Sequence, residues 1–163
     1  MKKLAGATVV VAGLAVLAIA TAALATMGSG VTSTNIAQGN VAGDLDANVK
    51  TGDWKLDLDT KGPSTLAVSE NRVAPGGHFG WHSHPGPSLV IVKSGTSTFY
   101  RGDDPDCTPQ VQPAGTAYID PGGVVHTARN ESVTEDLVVI VMRLVPVGVA
   151  PRIDEANPGN CPF

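Results

Sequence analysis

The histidines are the residues whose types and spacing point most directly to chemistry. The chain has 163 residues and four histidines, His78, His82, His84 and His126. His82 and His84 are two residues apart, so on a β-strand both side chains point to the same face and can approach one ion together. Neutral imidazole is a common ligand of divalent transition metals. This pair therefore indicates a metal site, although a His-x-His pair alone is a weak signal.

Two sequence motifs surround the histidines. In the first, Gly76 is followed after five residues by His82-Ser83-His84, and Gly95 comes further along the chain. Glycine and proline mark tight turns between strands, because glycine tolerates a positive φ and proline fixes φ. The fixed positions of the second motif are Gly115, Pro121, Gly122, Gly123, His126 and Asn130.

Through these two motifs, residues 64–147 resemble the cupin family. The resemblance implies an all-β fold, the double-stranded β-helix or jelly-roll barrel, in which His126 on a later strand comes opposite His82 and His84. It also implies that these three histidines bind a divalent transition metal, with zinc, copper, manganese, nickel and iron all open. A metal-free barrel whose histidines only form hydrogen bonds, and which binds a small molecule, is the alternative interpretation.

The first motif departs from the cupin pattern at its acidic position. A glutamate usually follows the second histidine there as a fourth ligand, with three or four residues in between, whereas this chain has Ser88 and Leu89. A neutral hydroxyl is a poor ligand for a divalent cation compared with a carboxylate. We therefore expect three neutral imidazoles with an open face, and Ser88 either at the fourth-ligand position or in the second coordination sphere.

Several other side chains are candidates for the surroundings of the site. His78 lies four residues before His82, so it is a ligand only if one strand continues unbroken between them. Otherwise we expect His78 at the rim, among the groups that hydrogen-bond around the ligands. No acid and base pair stands out in either motif, so no catalytic residue is assigned. The candidates for lining the pocket are Trp81, Tyr100, Arg101 and Arg143.

The elements that position these residues are predicted to be short β-strands. Apolar runs, as over residues 137–145, are separated by turns rich in glycine, proline and aspartate. Strands at this close spacing are typical of an all-β sandwich or barrel. We predict the barrel over residues 49–147, a flexible linker over 26–48 with one strand around 31–37, and an extended tail over 148–163.

The first 25 residues have the pattern of an export signal. Lys2 and Lys3 precede an uncharged apolar run, and Ala23-Leu24-Ala25 gives the small-x-small pattern that signal peptidase accepts. An uncleaved membrane anchor is the alternative, because about 20 apolar residues can span a bilayer. In both cases the folded part is expected outside the cytoplasm, secreted or associated with the cell envelope.

The two cysteines, Cys107 and Cys161, both lie in stretches rich in turn residues. Export makes a disulfide between them chemically permissible. Such a bond would tie the C-terminal tail to a loop of the barrel. A redox role is not indicated, because the chain has no Cys-x-x-Cys pair.

The charge of the chain excludes one class of function and leaves others open. The net charge is −4 and the 11 basic residues are scattered. A nucleic-acid surface needs clustered lysine and arginine, so we do not expect one. A small-molecule ligand or substrate is expected instead, and an edge strand would allow a homodimer. The classes left open are a metal-binding or small-molecule-binding module, a metal-dependent dioxygenase or other oxidoreductase, and a metal-assisted hydrolase or lyase.

Overall fold

The structure is a computed structural model that describes residues 25–163. The signal peptide or anchor predicted over residues 1–25 lies almost wholly outside this part. Residues 25–163 contain twelve β-strands and no helix, and therefore no helix that could cross a membrane. The strands are β1 (Ser29–Val41), β2 (Leu45–Thr51), β3 (Trp54–Thr60), β4 (Ser64–His78), β5 (His82–Ser83), β6 (Ser88–Ser94), β7 (Thr96–Arg101), β8 (Gln110–Pro113), β9 (Ala117–Asp120), β10 (His126–Arg129), β11 (Leu137–Pro146) and β12 (Ile153–Asp154).

Ten of these strands form one sheet that curls into a nearly closed barrel. Its main path runs β12-β5-β10-β4-β11-β6-β9, with β1 beside β4, β7 beside β10, and β8 beside β7. The prediction of an all-β barrel is confirmed. Strand β10 pairs with β4, β5 and β7, so the strand of the second motif is held directly against the strands of the first.

The core of the barrel is built from valine and leucine side chains of β4, β6 and β11. Buried and exposed residues alternate along β6, as the two-residue period of a strand requires. Val90 and Val92 lie opposite Val141 and Val139 of β11. This packing fixes the register of β6 against β11. The buried cluster consists of Val73, Val90, Val92, Leu137, Val139 and Val141.

Residues 26–48, for which we predicted a flexible linker, are largely β-strand. Strand β1 pairs antiparallel with β4 along its whole length, well beyond the short strand expected around residues 31–37. Most side chains of β1 are exposed, so its sequence lacks the apolar pattern of a core strand. Main-chain hydrogen bonds do not require apolar side chains, and this is why the composition alone indicated a linker.

The N-terminal boundary of the barrel also differs from the prediction at residue 49. Strands β2 and β3 pair only with each other and form a hairpin outside the ten-stranded sheet. Its side chains are mostly exposed, and Trp54 has 58% of its surface exposed. Apolar and charged residues alternate along β3. Its charged face carries the ion pair between Lys55 and Asp57, and Trp54 and Leu56 on the other face are exposed instead of packing on the core.

The C-terminal tail is extended, and it packs along β5. A disulfide joins Cys161 to Cys107, as the sequence led us to expect. Strand β12 pairs with β5, and Glu155 Oε1 accepts a hydrogen bond of 2.8 Å from Ser83 Oγ. The tail therefore covers the strand that carries His82.

Asn130, the last position of the second motif, connects separate parts of the barrel. Its side chain is buried. Its Nδ2 atom lies within 3.2 Å of the carbonyl oxygens of Val73, Ala74 and Glu135. These contacts join the end of β4 to the loop before β11.

Replacing Asn130 with alanine is expected to lower the free energy of unfolding by about 1–3 kcal/mol, because buried carbonyl oxygens lose their donor. Urea denaturation would measure this loss. Asn48→Ala is a matched control, since the Asn48 side chain bonds only to exposed Asp46, and its effect should stay within about 0.5 kcal/mol. Equal unfolding midpoints for the two variants would contradict the role given to Asn130.

Candidate metal centre

Three of the four histidines come together inside the barrel. His82 in β5 lies directly opposite His126 in β10, and His84 comes just after β5. Each side chain is only 3–4% exposed. Three ring nitrogens, one from each of these histidines, all lie within 4.8 Å of one another. One ion could therefore contact all three rings.

Hydrogen bonds to the main chain fix which nitrogen of each ring is free. A carbonyl oxygen only accepts, so a ring nitrogen bonded to it must carry the proton. The Nδ1 atoms of His82, His84 and His126 lie 2.9, 2.6 and 2.9 Å from the carbonyl oxygens of Gly80, Pro151 and Val124, respectively. All three Nε2 atoms therefore keep a lone pair, and a main-chain partner on the opposite nitrogen is typical of metal-binding histidines.

Burial keeps these imidazoles neutral. Loss of hydration lowers the pKa of His82 to about 2 and the pKa of His84 to about 4. It also lowers the pKa of His126. The positive charge of Arg152 acts in the same direction on His82 and His126. At neutral pH, protons therefore do not compete for the three Nε2 lone pairs.

Asp120, which the sequence analysis did not single out, places a carboxylate beside the histidines. Its side chain is 4% exposed. Its Oδ1 atom accepts a hydrogen bond of 3.0 Å from the Gly122 amide. Its Oδ2 atom lies 3.4 Å from His126 Nε2 and 3.8 Å from His84 Nε2, and it has no hydrogen-bond partner within residues 25–163. A free carboxylate oxygen thus faces two of the free ring nitrogens.

The sequence alone did not indicate Asp120. In the structure, Tyr118 and Asp120 of β9 are more buried than Ala117 and Ile119. The apolar character of Ile119 favours the opposite orientation, so the inward position of Asp120 depends on the pairing of β9 with β6. The acidic ligand was expected in the first motif, and Asp120 was therefore not predicted.

A row of polar side chains runs across the sheet from Asp120. Ser88 at the start of β6 pairs with Asp120 on one side and with Arg143 of β11 on the other. Paired residues of adjacent strands point to the same face. All three side chains line the cavity that the histidines face. Ser88 therefore does lie at the site, and it brings a hydroxyl where a glutamate was expected.

The cavity enclosed by the histidines and this row is small, with a volume of about 40 Å³. This is room for a few atoms, since one water molecule needs at least roughly 10–15 Å³ by the same kind of measure. Apolar walls strengthen electrostatic interactions inside it. The apolar lining includes Phe79, Val90, Phe99, Tyr118, Val139 and Val141.

Three of the four predicted pocket residues lie elsewhere. Trp81 is buried, but its ring stacks on Phe163 of the tail at a centroid distance of 6.3 Å. Tyr100 also packs on Phe163, because the alternation of β7 turns its neighbour Phe99 inward instead. Arg101 is ion-paired with Asp103 in a turn. Of the four candidates, only Arg143 lines the cavity.

His78 lies outside the histidine cluster. Strand β4 ends at His78 and β5 begins at His82, so the two residues do not share one continuous strand. Between them Gly80 has a φ of 71°, a left-handed conformation that interrupts a strand. His78 Nδ1 accepts a hydrogen bond of 3.1 Å from the Gly80 amide. It supports the turn before the site.

Comparison with known protein families matches part of this chain. Residues 70–143 match the family model of the cupin domain. The matched segment is 74 of the 163 residues, and it contains all three histidines, Asp120 and both motifs. The resemblance to cupins that the motifs carry is therefore confirmed over this segment.

Several solved structures are similar to this chain. A cupin-like protein from Thermotoga maritima is 26% identical with a TM-score of 0.48, and the match covers 56% of this chain and 65% of that protein, just under two thirds. A cupin domain from Bordetella pertussis is 22% identical with a TM-score of 0.42, over 63% of this chain and 94% of that one. A DMSP lyase from Ruegeria pomeroyi is 18% identical with a TM-score of 0.48, over 58% and 45%. No curated protein matches the sequence.

Proposed function

We propose that this protein binds a divalent metal ion through the Nε2 atoms of His82, His84 and His126, with the Asp120 carboxylate as a fourth ligand. The observation that carries the proposal is the set of three main-chain hydrogen bonds at Nδ1. They leave three neutral nitrogens with lone pairs at one buried place.

The electrostatics of the site support this proposal. Three nitrogen lone pairs and one carboxylate oxygen face each other in a buried cavity, and groups of this kind repel each other unless a cation lies between them. Burying a carboxylate oxygen without a partner is also costly. A divalent cation would satisfy Asp120 Oδ2 and the three nitrogens together.

The ligand set limits the kind of metal that suits the site. Three imidazoles and one carboxylate suit zinc and the other first-row ions considered above, namely copper, manganese, nickel and iron. Asp120 Oδ2 lies 3.4 Å from His126 Nε2 and 3.8 Å from His84 Nε2, so these three atoms are close enough to share one ion. When bound, such an ion would supply Lewis-acid chemistry.

Asp120→Asn is expected to weaken metal binding by about 10–100-fold, because the amide keeps the shape of the side chain and loses the negative charge. Competition with a chromophoric chelator would measure the affinity. Asp57→Asn is the matched control, since Asp57 lies on the exposed hairpin and pairs with Lys55. Equal affinities for wild type and Asp120→Asn would remove Asp120 from the ligand set and leave the three histidines.

We also propose that the protein acts outside the cytoplasm. The disulfide between Cys107 and Cys161 supports this, because disulfides persist in oxidising compartments. The export pattern of residues 1–25 points the same way. The ligands of the proposed site would then meet metal and small molecules from the exterior or the cell envelope.

A further inference from the structure

Arg143 differs from the other arginines of the protein in having no acidic partner. The chain has five arginines, and all of them lie within residues 25–163. Four form ion pairs, namely Arg72, Arg101, Arg129 and Arg152, with Asp136, Asp103, Glu131 and Asp154. Arg143 has only a 3.5 Å contact from Nη1 to Ser69 Oγ. The one arginine that lines the histidine cavity is therefore the one whose charge is unpaired.

Arg143 is one of three neighbouring residues in the described part of the chain that each have a buried polar atom without a hydrogen-bond partner. Within residues 25–163, four buried side-chain polar atoms have no hydrogen-bond partner, and three of them are Ser88 Oγ, Asp120 Oδ2 and Arg143 Nε. These three residues occupy one cross-strand row. Buried polar groups are normally satisfied. The metal ion proposed above would satisfy Asp120 Oδ2, so Ser88 Oγ and Arg143 Nε are the two atoms in this row that indicate a further ligand.

The distance between Asp120 and Arg143 explains why their charges do not form an ion pair. Asp120 and Arg143 are on strands β9 and β11, with β6 between them. Two strand spacings of about 4.8 Å separate their main chains by roughly 9.6 Å. No ion pair joins the carboxylate of Asp120 to the guanidinium of Arg143. The space between them lies over Ser88, next to the histidines.

We propose that Arg143 and Ser88 form a subsite for a small carboxylate bound beside the metal ion. The carboxylate oxygens would accept hydrogen bonds from the Arg143 guanidinium, whose planar donors suit a carboxylate, and from the Ser88 hydroxyl. This inference rests on the metal site proposed above. With a divalent ion, Asp120 and Arg143 in place, the cavity holds a net charge of two positive units, which an anion would reduce.

The volume of the cavity limits the size of the ligand. The cavity beside the histidines has a volume of about 40 Å³, so only a carboxylate head group or a ligand of very few atoms fits inside. Arg143 additionally lines a wider groove of about 370 Å³, together with Phe79, Pro151 and Arg152. A short chain attached to the carboxylate can extend into this groove.

Anion titration of the metal-loaded protein tests this proposal. The full-length wild-type protein is loaded with Co²⁺ and titrated with formate, acetate and oxalate, while the visible absorption of the cobalt and the heat of binding are recorded. We expect saturable binding by at least one of the three anions. Arg143→Met should bind that anion at least about tenfold more weakly, because a charge-assisted hydrogen bond is lost, with its cobalt content unchanged.

Three further variants keep the test decisive. Arg72→Gln removes a charge that is paired with Asp136 outside the cavity, and its anion affinity should equal that of wild type. If Arg143→Met does not fold, Arg143→Lys and Ser88→Ala replace it, since lysine keeps the charge but loses the planar donors. Both should bind the anion more weakly than wild type.

The outcomes separate this proposal from the metal site on which it rests. A wild-type protein that takes up no cobalt would overturn both. Full cobalt loading with no response to any of the three carboxylates would overturn the anion subsite alone. Equal anion affinities in wild type and in the Arg143 and Ser88 variants would also overturn the anion subsite and leave the metal site unaffected.

Discussion

Purified without a histidine tag, the wild-type protein is expected to carry a single divalent metal ion per chain, and the double variant His82→Ala, His126→Ala is expected to carry none. The two substitutions remove two of the three converging nitrogens. The remaining imidazole of His84 and the Asp120 carboxylate are too few ligands for a stable transition-metal site. Elemental analysis by mass spectrometry, after extensive dialysis, measures the metal content of both proteins.

His78→Ala is the matched control for this experiment. It removes the fourth histidine, which lies outside the cluster and only supports the turn at Gly80. Its metal content should equal that of wild type. Circular dichroism establishes that each variant keeps its β-structure. A wild-type protein that is metal-free after growth in metal-replete medium, and that shows no affinity when titrated with zinc, copper, manganese, nickel and iron, would contradict the metal site.

Removing the disulfide is expected to lower the free energy of unfolding by about 4 kcal/mol. The bond joins residues 54 apart in sequence, and closing a loop of this length restricts the unfolded chain by about that amount in the chain-entropy treatment. The Cys107→Ser, Cys161→Ser double variant should therefore unfold at a clearly lower denaturant concentration than wild type. Fluorescence-detected urea denaturation measures the difference.

The same double variant should also bind metal less tightly. The tail held by the disulfide supplies the Pro151 carbonyl that accepts the hydrogen bond of His84 Nδ1. Partners of this kind orient a metal-binding histidine, and their loss costs about 10–100-fold in affinity. Wild type treated with reductant should behave like the variant, whereas reductant should not change the variant further. If the double variant kept the stability and the metal affinity of wild type, the tail would stay in place without the disulfide. That result would contradict the role given to the bond.

The sequence was sufficient to predict the fold class and the histidines. Period-two runs separated by glycine and proline turns indicated an all-β barrel, because alternation in a strand is a local property of the chain. The spacing of His82 and His84 placed them on one face for the same reason. The position of His126 opposite them was implied by the resemblance to cupins, and the structure pairs it directly with His82.

The partners of the histidines could be predicted less well. Asp120 and Arg143 face the cavity because β9 and β11 flank β6 in a particular register. That register depends on core packing between strands that are far apart in sequence, and no local pattern specifies it. Tyr100 was a candidate for lining the pocket. The alternation of β7 turns Phe99 inward in its place.

What the sequence by itself determined is the all-β class of the fold and the common face of His82 and His84, since both depend on patterns along a single strand or turn. The resemblance to cupins added His126. The tertiary structure decided the character of the site. It showed that the acidic group is Asp120 and not a residue of the first motif. It also showed that the free nitrogen of His84 is set by a carbonyl 67 residues away. A neutral histidine offers the Nε2 lone pair in the tautomer that carries its proton on Nδ1. The partner that favours this tautomer is set by three-dimensional packing.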